Sequence, residues 1–138
     1  MRVLWVEDDE FVMKTVADYL RKQNVEVEFA RTVPTAKRKL AERHYDFMLL
    51  DMIIAGEIGE PISQPAGWQL LRDIREGDLA AVLGRPEIGS IPVAVCSVGM
   101  YPELFKRLGK PPYEHVEFLK KPFRPTELSR LLRRHAPE

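Results

Sequence analysis

The chain has 138 residues, 45% hydrophobic and 30% charged, which suits one globular core and excludes a disordered chain or a fibrous repeat. Its 21 Lys plus Arg balance 21 Asp plus Glu, so it offers no overall attraction to polyanions and nucleic acid is not expected as a direct partner. A lone cysteine, Cys96, rules out an internal disulfide and fits a reducing cytoplasm, and the absence of an apolar run of about 20 residues argues against any membrane span.

Val3–Val6 is short and rich in β-branched residues, which predicts a first strand. It runs straight into Glu7, Asp8 and Asp9. Phe11, Val12, Val16, Tyr19 and Leu20 then share one face at helical spacing and predict the first helix. Val25–Phe29, alternating with Glu26 and Glu28, predicts a second strand. Val33, Ala36 and Leu40 predict a second helix, with Thr32 as its N-cap and Pro34 in its first turn. Phe47–Leu50 lacks polar alternation and predicts a central strand covered on both faces, leading into Asp51.

A long connection over Ile53–Ala66 follows, with Gly56, Gly59, Pro61 and Pro65. Leu70, Leu71 and Ile74 mark a third helix. A second long connection, Gly77–Ser90, carries Gly84, Pro86 and Gly89, with a helical turn over Leu79–Leu83. Ile91–Cys96 predicts a fourth strand, ending near Ser97. Leu104, Phe105 and Leu108 mark a short fourth helix. Val116–Leu119 predicts a fifth strand, ending at Lys120, Lys121 and Pro122. Leu128, Leu131 and Leu132 mark the last helix, with Pro125 in its first turn and Arg124 a poor N-cap.

Strand and helix alternate five times, which implies a parallel sheet with helices on both faces. In such sheets chemistry gathers beyond the carboxyl ends of the strands. Those ends carry Glu7, Asp8, Asp9, Asp51, Ser97 and Lys121. Clustered carboxylates demand a compensating cation, and an all-oxygen set suits Mg²⁺. A carboxylate placed there can attack phosphorus, with the metal and the lysine spreading the charge on the transferring oxygens. Val6 closes the apolar run, which favours Glu7 and Asp8 as the acidic pair and leaves Asp9 to cap the first helix.

The segments VLWVEDD, YDFMLLDMI, IPVAVCS and FLKKPF, in that order, resemble a response regulator receiver domain of bacterial two-component signalling. The resemblance spans essentially residues 1–138 as one domain and implies a flavodoxin-like, doubly wound (βα)5 fold. It implies that Asp51 is the phosphoacceptor and that Mg²⁺ is held by Asp8, Asp51, the Ile53 backbone carbonyl and Glu7, the last mainly through water. Lys121 would pair with the acids and then with the phosphoryl group. Ser97 would hydrogen-bond a phosphoryl oxygen, and Phe118 matches the aromatic switch position. The implied partners are a histidine kinase or phosphotransfer protein and a downstream protein target. The target would meet the face of the fourth helix, fifth strand and fifth helix, and a homodimer is compatible with the same family. No effector segment follows the last helix, which implies action through a partner or origin in a larger regulator.

Three positions depart from the family pattern. The connection after Asp51 is longer, Ala55 replaces the usual proline, and Val98 stands where a very small residue is usual. Gly67, followed by Trp68, matches the family's glycine at the start of the third helix. The long connection and Val98 motivate an alternative reading as a phosphorylation-independent interaction module. A hydrolase acting on external phosphate esters is not expected, because Ile53 occupies the place of a second acid two residues after Asp51. Cys96 is expected to be a buried strand residue, Trp5 and Trp68 to be packing residues, and His44, His115 and His135 show no metal-pair spacing.

Overall fold

The structure, a computed structural model, describes residues 1–53, 66–99 and 102–136, and of residues 10–12 the backbone only. Strands β1 (Arg2–Val6), β2 (Glu26–Ala30), β3 (Phe47–Asp51), β4 (Val93–Ser97) and β5 (Val116–Lys120) form one parallel sheet in the order β2-β1-β3-β4-β5. They alternate with helices α1 (Glu10–Lys22), α2 (Val33–Glu42), α3 (Ala66–Arg75), α4 (Leu79–Leu83), α5 (Pro102–Phe105) and α6 (Pro125–Arg134), and a 3₁₀ turn spans Pro86–Ser90. This is the flavodoxin-like (βα)5 architecture that the sequence predicts. The helical turn inside the second long connection becomes α4.

Two cores flank the sheet because successive strand residues point to opposite faces. Leu4, Val6, Met48, Leu50, Val93 and Val95 pack with Ala36 and Leu40 of α2, Leu70, Leu71 and Ile74 of α3, and Leu104 of α5. Val3, Trp5, Phe47, Leu49, Ala94 and Cys96 pack with Ala17 and Leu20 of α1 and with Leu128, Leu131 and Leu132 of α6. All of β3 and β4 is buried, as a doubly covered central strand requires. The Phe11 and Val12 side chains, expected on the buried stripe of α1, lie outside the described residues.

The helix ends follow local chemistry. The Thr32 hydroxyl accepts from the Thr35 N–H at 3.2 Å, capping α2 with Pro34 in its first turn. Arg124 makes no side-chain cap; instead Glu127 reaches back and accepts its backbone N–H at 3.4 Å. Strand edges shift slightly from expectation. The Val25 N–H donates to Leu20 O, closing α1, so β2 begins at Glu26. Ile91 is buried but belongs to the end of the 3₁₀ turn, so β4 begins at Val93. Helix α5 closes at Phe105, with Leu108 in the turn beyond. Most of the Ile53–Ala66 connection, Ala55 included, lies outside the described residues. Among the described residues no helix is long and apolar enough to cross a membrane.

The chain steps from β1 outward to β2 and then returns to the other side of β1 as β3. That reversal opens a crevice at the carboxyl ends of β1 and β3, where ligands bind in open α/β sheets.

Candidate functional site

Parallel pairing delivers the site residues to one rim. β1 ends at Val6, opposite Leu50, so Glu7 and Asp51 leave neighbouring strands side by side. Asp51 lies opposite Cys96, which puts Ser97 one step further along β4, and Ser97 lies opposite Lys120. The Lys121 N–H donates to Ser97 O at 2.9 Å, fixing the loop that carries the lysine. The Lys121–Pro122 peptide is cis.

Lys121 Nζ donates to Glu7 Oε2 at 2.6 Å and to Asp51 Oδ2 at 3.1 Å. Asp51 Oδ1 accepts the Ile53 N–H at 3.3 Å, and Glu7 Oε1 accepts the Asp9 N–H at 3.2 Å. One carboxylate oxygen each from Glu7, Asp8 and Asp51 lies within 4.8 Å of the others. Glu7 and Asp51 are buried, whereas Asp8 and Asp9 are exposed. Asp9 directly precedes α1.

Burial pushes the Glu7 carboxyl up to about 7, reinforced by the Asp51 charge and opposed by its hydrogen bond from Lys121. Burial works to lower the Lys121 ammonium, but the Glu7 hydrogen bond and the Asp51 charge outweigh it and hold it above its ordinary value. Three carboxylates around one ammonium leave an excess of negative charge. The donor set is all oxygen, partly buried and open on the Asp8 side, which fits a hard divalent cation such as Mg²⁺.

Gly67 holds the acceptor turn from behind. Its N–H donates to Met52 O at 3.0 Å, and a Cβ added there would lie 2.0 Å from Asp51 O. Only glycine lets the start of α3 approach that closely. Ser97 is buried at the end of β4, and its hydroxyl accepts the Gly99 N–H at 3.2 Å. Phe118 is half-buried on β5 and meets Phe105 of α5, ring centroids 4.7 Å apart.

A cleft of about 580 Å³ opens beside the acids, lined by Asp8, Met13, Val16, Val98, Lys121 and Phe123 among others. Sequence reasoning named the polar residues of this rim and, of its apolar wall, Val16 and Val98, but missed Met13 and Phe123. The signal available was the helical spacing of Met13 to Val16 and the position of Phe123 directly after Pro122. Val98 is 70% exposed and Ile53 61%, so two large apolar side chains stand in solvent next to Ser97 and Asp51.

A family model, the response regulator receiver domain, matches residues 3–133. The chain is 31% identical over 81 residues to the uncharacterized protein y4jS of Sinorhizobium fredii, covering 56% of this chain and spanning about a fifth (20%) of that protein. The fold is similar to the chemotaxis protein CheY4 of Vibrio cholerae, with TM-score 0.70, 21% identity, and 98% of each chain covered. It is similar to the receiver domain of the sensor histidine kinase PA1611 of Pseudomonas aeruginosa, solved with a magnesium ion coordinated in its active-site cleft (TM-score 0.68, 21% identity, 97% and 95% covered). It is also similar to the BeF3-activated N-terminal receiver domain of Klebsiella pneumoniae RstA (TM-score 0.70, 22% identity, 98% and 97% covered).

Proposed function

We propose that this chain, which belongs to the response regulator receiver domain family, is a cytoplasmic phosphoryl-accepting switch whose acceptor is Asp51. The observation that carries the reading is the pairing of Lys121 Nζ with both Glu7 and Asp51, beside an acid trio within 4.8 Å. An Asp51 oxygen attacks the phosphorus of a phosphorylated imidazole, the P–N bond breaks, and an acyl phosphate forms. The donor is a histidine kinase or phosphotransfer protein.

Glu7, Asp8, Asp51 and the Ile53 carbonyl would hold Mg²⁺, in keeping with the magnesium coordinated in the PA1611 receiver domain. When bound, the metal offsets charge on the acids and on the phosphoryl oxygens. Lys121 already contacts Asp51 and is placed to follow the transferred group. The Ser97 hydroxyl, which accepts from the Gly99 N–H, donates its own proton to a phosphoryl oxygen, drawing the end of β4 toward Asp51. Phe118 and Phe105 repack in response, which changes the α5-β5-α6 face seen by a downstream protein. Turnover of external phosphate esters is not part of this function, since Ile53 supplies no acid two residues after Asp51.

Intact-mass spectrometry after acetyl phosphate and Mg²⁺ tests the reading. The native chain gains one phosphoryl group and Asp51→Asn gains none. Exposed Val98 favours a second reading, in which the same fold binds a partner without phosphorylation. An unmodified native chain that still binds a partner would establish that one. Metal binding has its own readout. Trp5 is two residues from Glu7 and its ring lies 6.2 Å from that of Phe123, two residues past Lys121. Its fluorescence is expected to respond to millimolar Mg²⁺.

A further inference from the structure

Trp68 reads from the sequence as a packing residue, and the structure gives it further contacts. Its ring is buried and lies nearly parallel to that of Tyr113, with centroids 6.3 Å apart and planes within 7°. The Arg107 guanidinium sits over the same indole, 5.9 Å from its centroid. Tyr113 and Arg107 meet again at Glu76, the residue after α3. The Tyr113 hydroxyl donates to Glu76 Oε2, and Arg107 Nη1 and Arg72 Nε each lie 3.5 Å from that oxygen. Burial, then the hydrogen bond to Glu76, push the Tyr113 hydroxyl up to about 12, so it stays neutral and donates.

These contacts tie α3 to the segment between α5 and β5. Tyr113 is the only buried residue among 105–115, so one ring anchors that segment in the core. Arg75 holds the segment's end to the same helix by donating to Glu114 O. Trp68 in turn follows Gly67, which meets the acceptor turn in two ways. Close contact with Asp51 O lets that turn push on it, and the hydrogen bond to Met52 O lets the turn pull. The start of α3 therefore follows Asp51 in either direction, and Trp68 moves with it. Movement either way worsens a near-parallel stack.

We propose that Trp68 couples the acceptor turn to the segment between α5 and β5, its stack on Tyr113 parting when Asp51 carries a phosphoryl group. The inference rests on Asp51 being the phosphoacceptor. Trp68 is a positioning residue: it acts through Gly67, by a route that does not pass through Ser97 or Phe118. Parting the stack frees a segment whose Lys106, Arg107 and Lys110 are exposed, which gives the chain a second surface that reports phosphorylation. By linkage, whatever loosens the stack beforehand favours the occupied state of Asp51.

Beryllofluoride with Mg²⁺, a reversible stand-in for the phosphoryl group, tests this on the full chain. Amide exchange over residues 106–113 should quicken about threefold or more on its addition. In Trp68→Leu, exchange there should be fast from the outset and indifferent to beryllofluoride. Trp68→Phe, which keeps a flat ring, should restore the response. Arg107 is exposed, so Arg107→Ala keeps the fold while removing the cation over the indole, and it should bind beryllofluoride about threefold more tightly. Lys110→Ala, on the same segment, is the control and should bind as the native chain does. Suppose acetyl phosphate labels Asp51. Constant exchange over residues 106–113, a response that survives in Trp68→Leu, or an unchanged affinity in Arg107→Ala then overturns the coupling and leaves the phosphoacceptor reading standing. A native chain that acetyl phosphate leaves unmodified overturns that reading, and the coupling with it.

Discussion

Removing the Lys121 ammonium leaves Glu7 and Asp51 buried with no counter-charge of their own. Lys121→Ala is expected to lower stability near pH 8 by about 3 kcal/mol, read from urea unfolding of the metal-free chain. Acid should shrink that loss. Glu7 takes its proton at about 7 when folded and near 4.3 when unfolded. With the folded value raised, its contribution is fully present below the unfolded value and is lost as pH rises through about 7. Lowering pH toward 5.5 therefore neutralises Glu7 in the native state and relieves the carboxylate crowding. The same linkage governs the metal. Mg²⁺ should raise the melting temperature clearly near pH 8 and little near pH 5.5, because protons then compete for Glu7. Equal stabilisation at both pH values would show that Glu7 is not part of the metal's surroundings.

Helix α3 does two jobs that its apolar spacing does not reveal. At its start, Gly67 lies against the backbone of Asp51 and Met52, so Gly67→Ala must push the acceptor turn aside. A loss of about 3 kcal/mol and a matching fall in phosphate incorporation are expected, by urea unfolding and intact mass. At its end, buried Arg75 donates to the carbonyls of Gly89, Ile91 and Glu114, tying α3 to the 3₁₀ turn and to the approach to β5. Arg75→Met would leave those acceptors unmet and should cost about 3 kcal/mol by the same measurement. The elements themselves were legible because alternation and helical spacing report burial directly. All five strands fall within two residues of expectation. Ile91 was misplaced because a buried β-branched residue reads as strand whether or not it pairs. Arg75 was legible only as a cation near a helix end, since its acceptors come from segments 14 to 39 residues away.

Across the molecule, the polar rim was legible because a parallel sheet sends every strand's carboxyl end to one side, so motif residues at the ends of four different strands had to meet. The part of the cleft wall made by Met13 and Phe123 was not, since it depends on how α1 seats against the sheet and on the turn after Lys121. Cys96 offers a probe of the whole arrangement. It is fully buried on β4, opposite Asp51, and burial pushes its thiol up to about 12. A thiol reagent should therefore leave the native chain unmodified on a minutes timescale and label it completely in denaturant. Slow labelling that remains measures how often the chain opens around β4. If that opening is global, Mg²⁺ near pH 8 should slow labelling in proportion to the stability it adds, because a ligand of the native state lowers the open population by its own binding factor. Labelling indifferent to Mg²⁺ would mean that β4 is exposed by a local opening that leaves Glu7, Asp8 and Asp51 assembled.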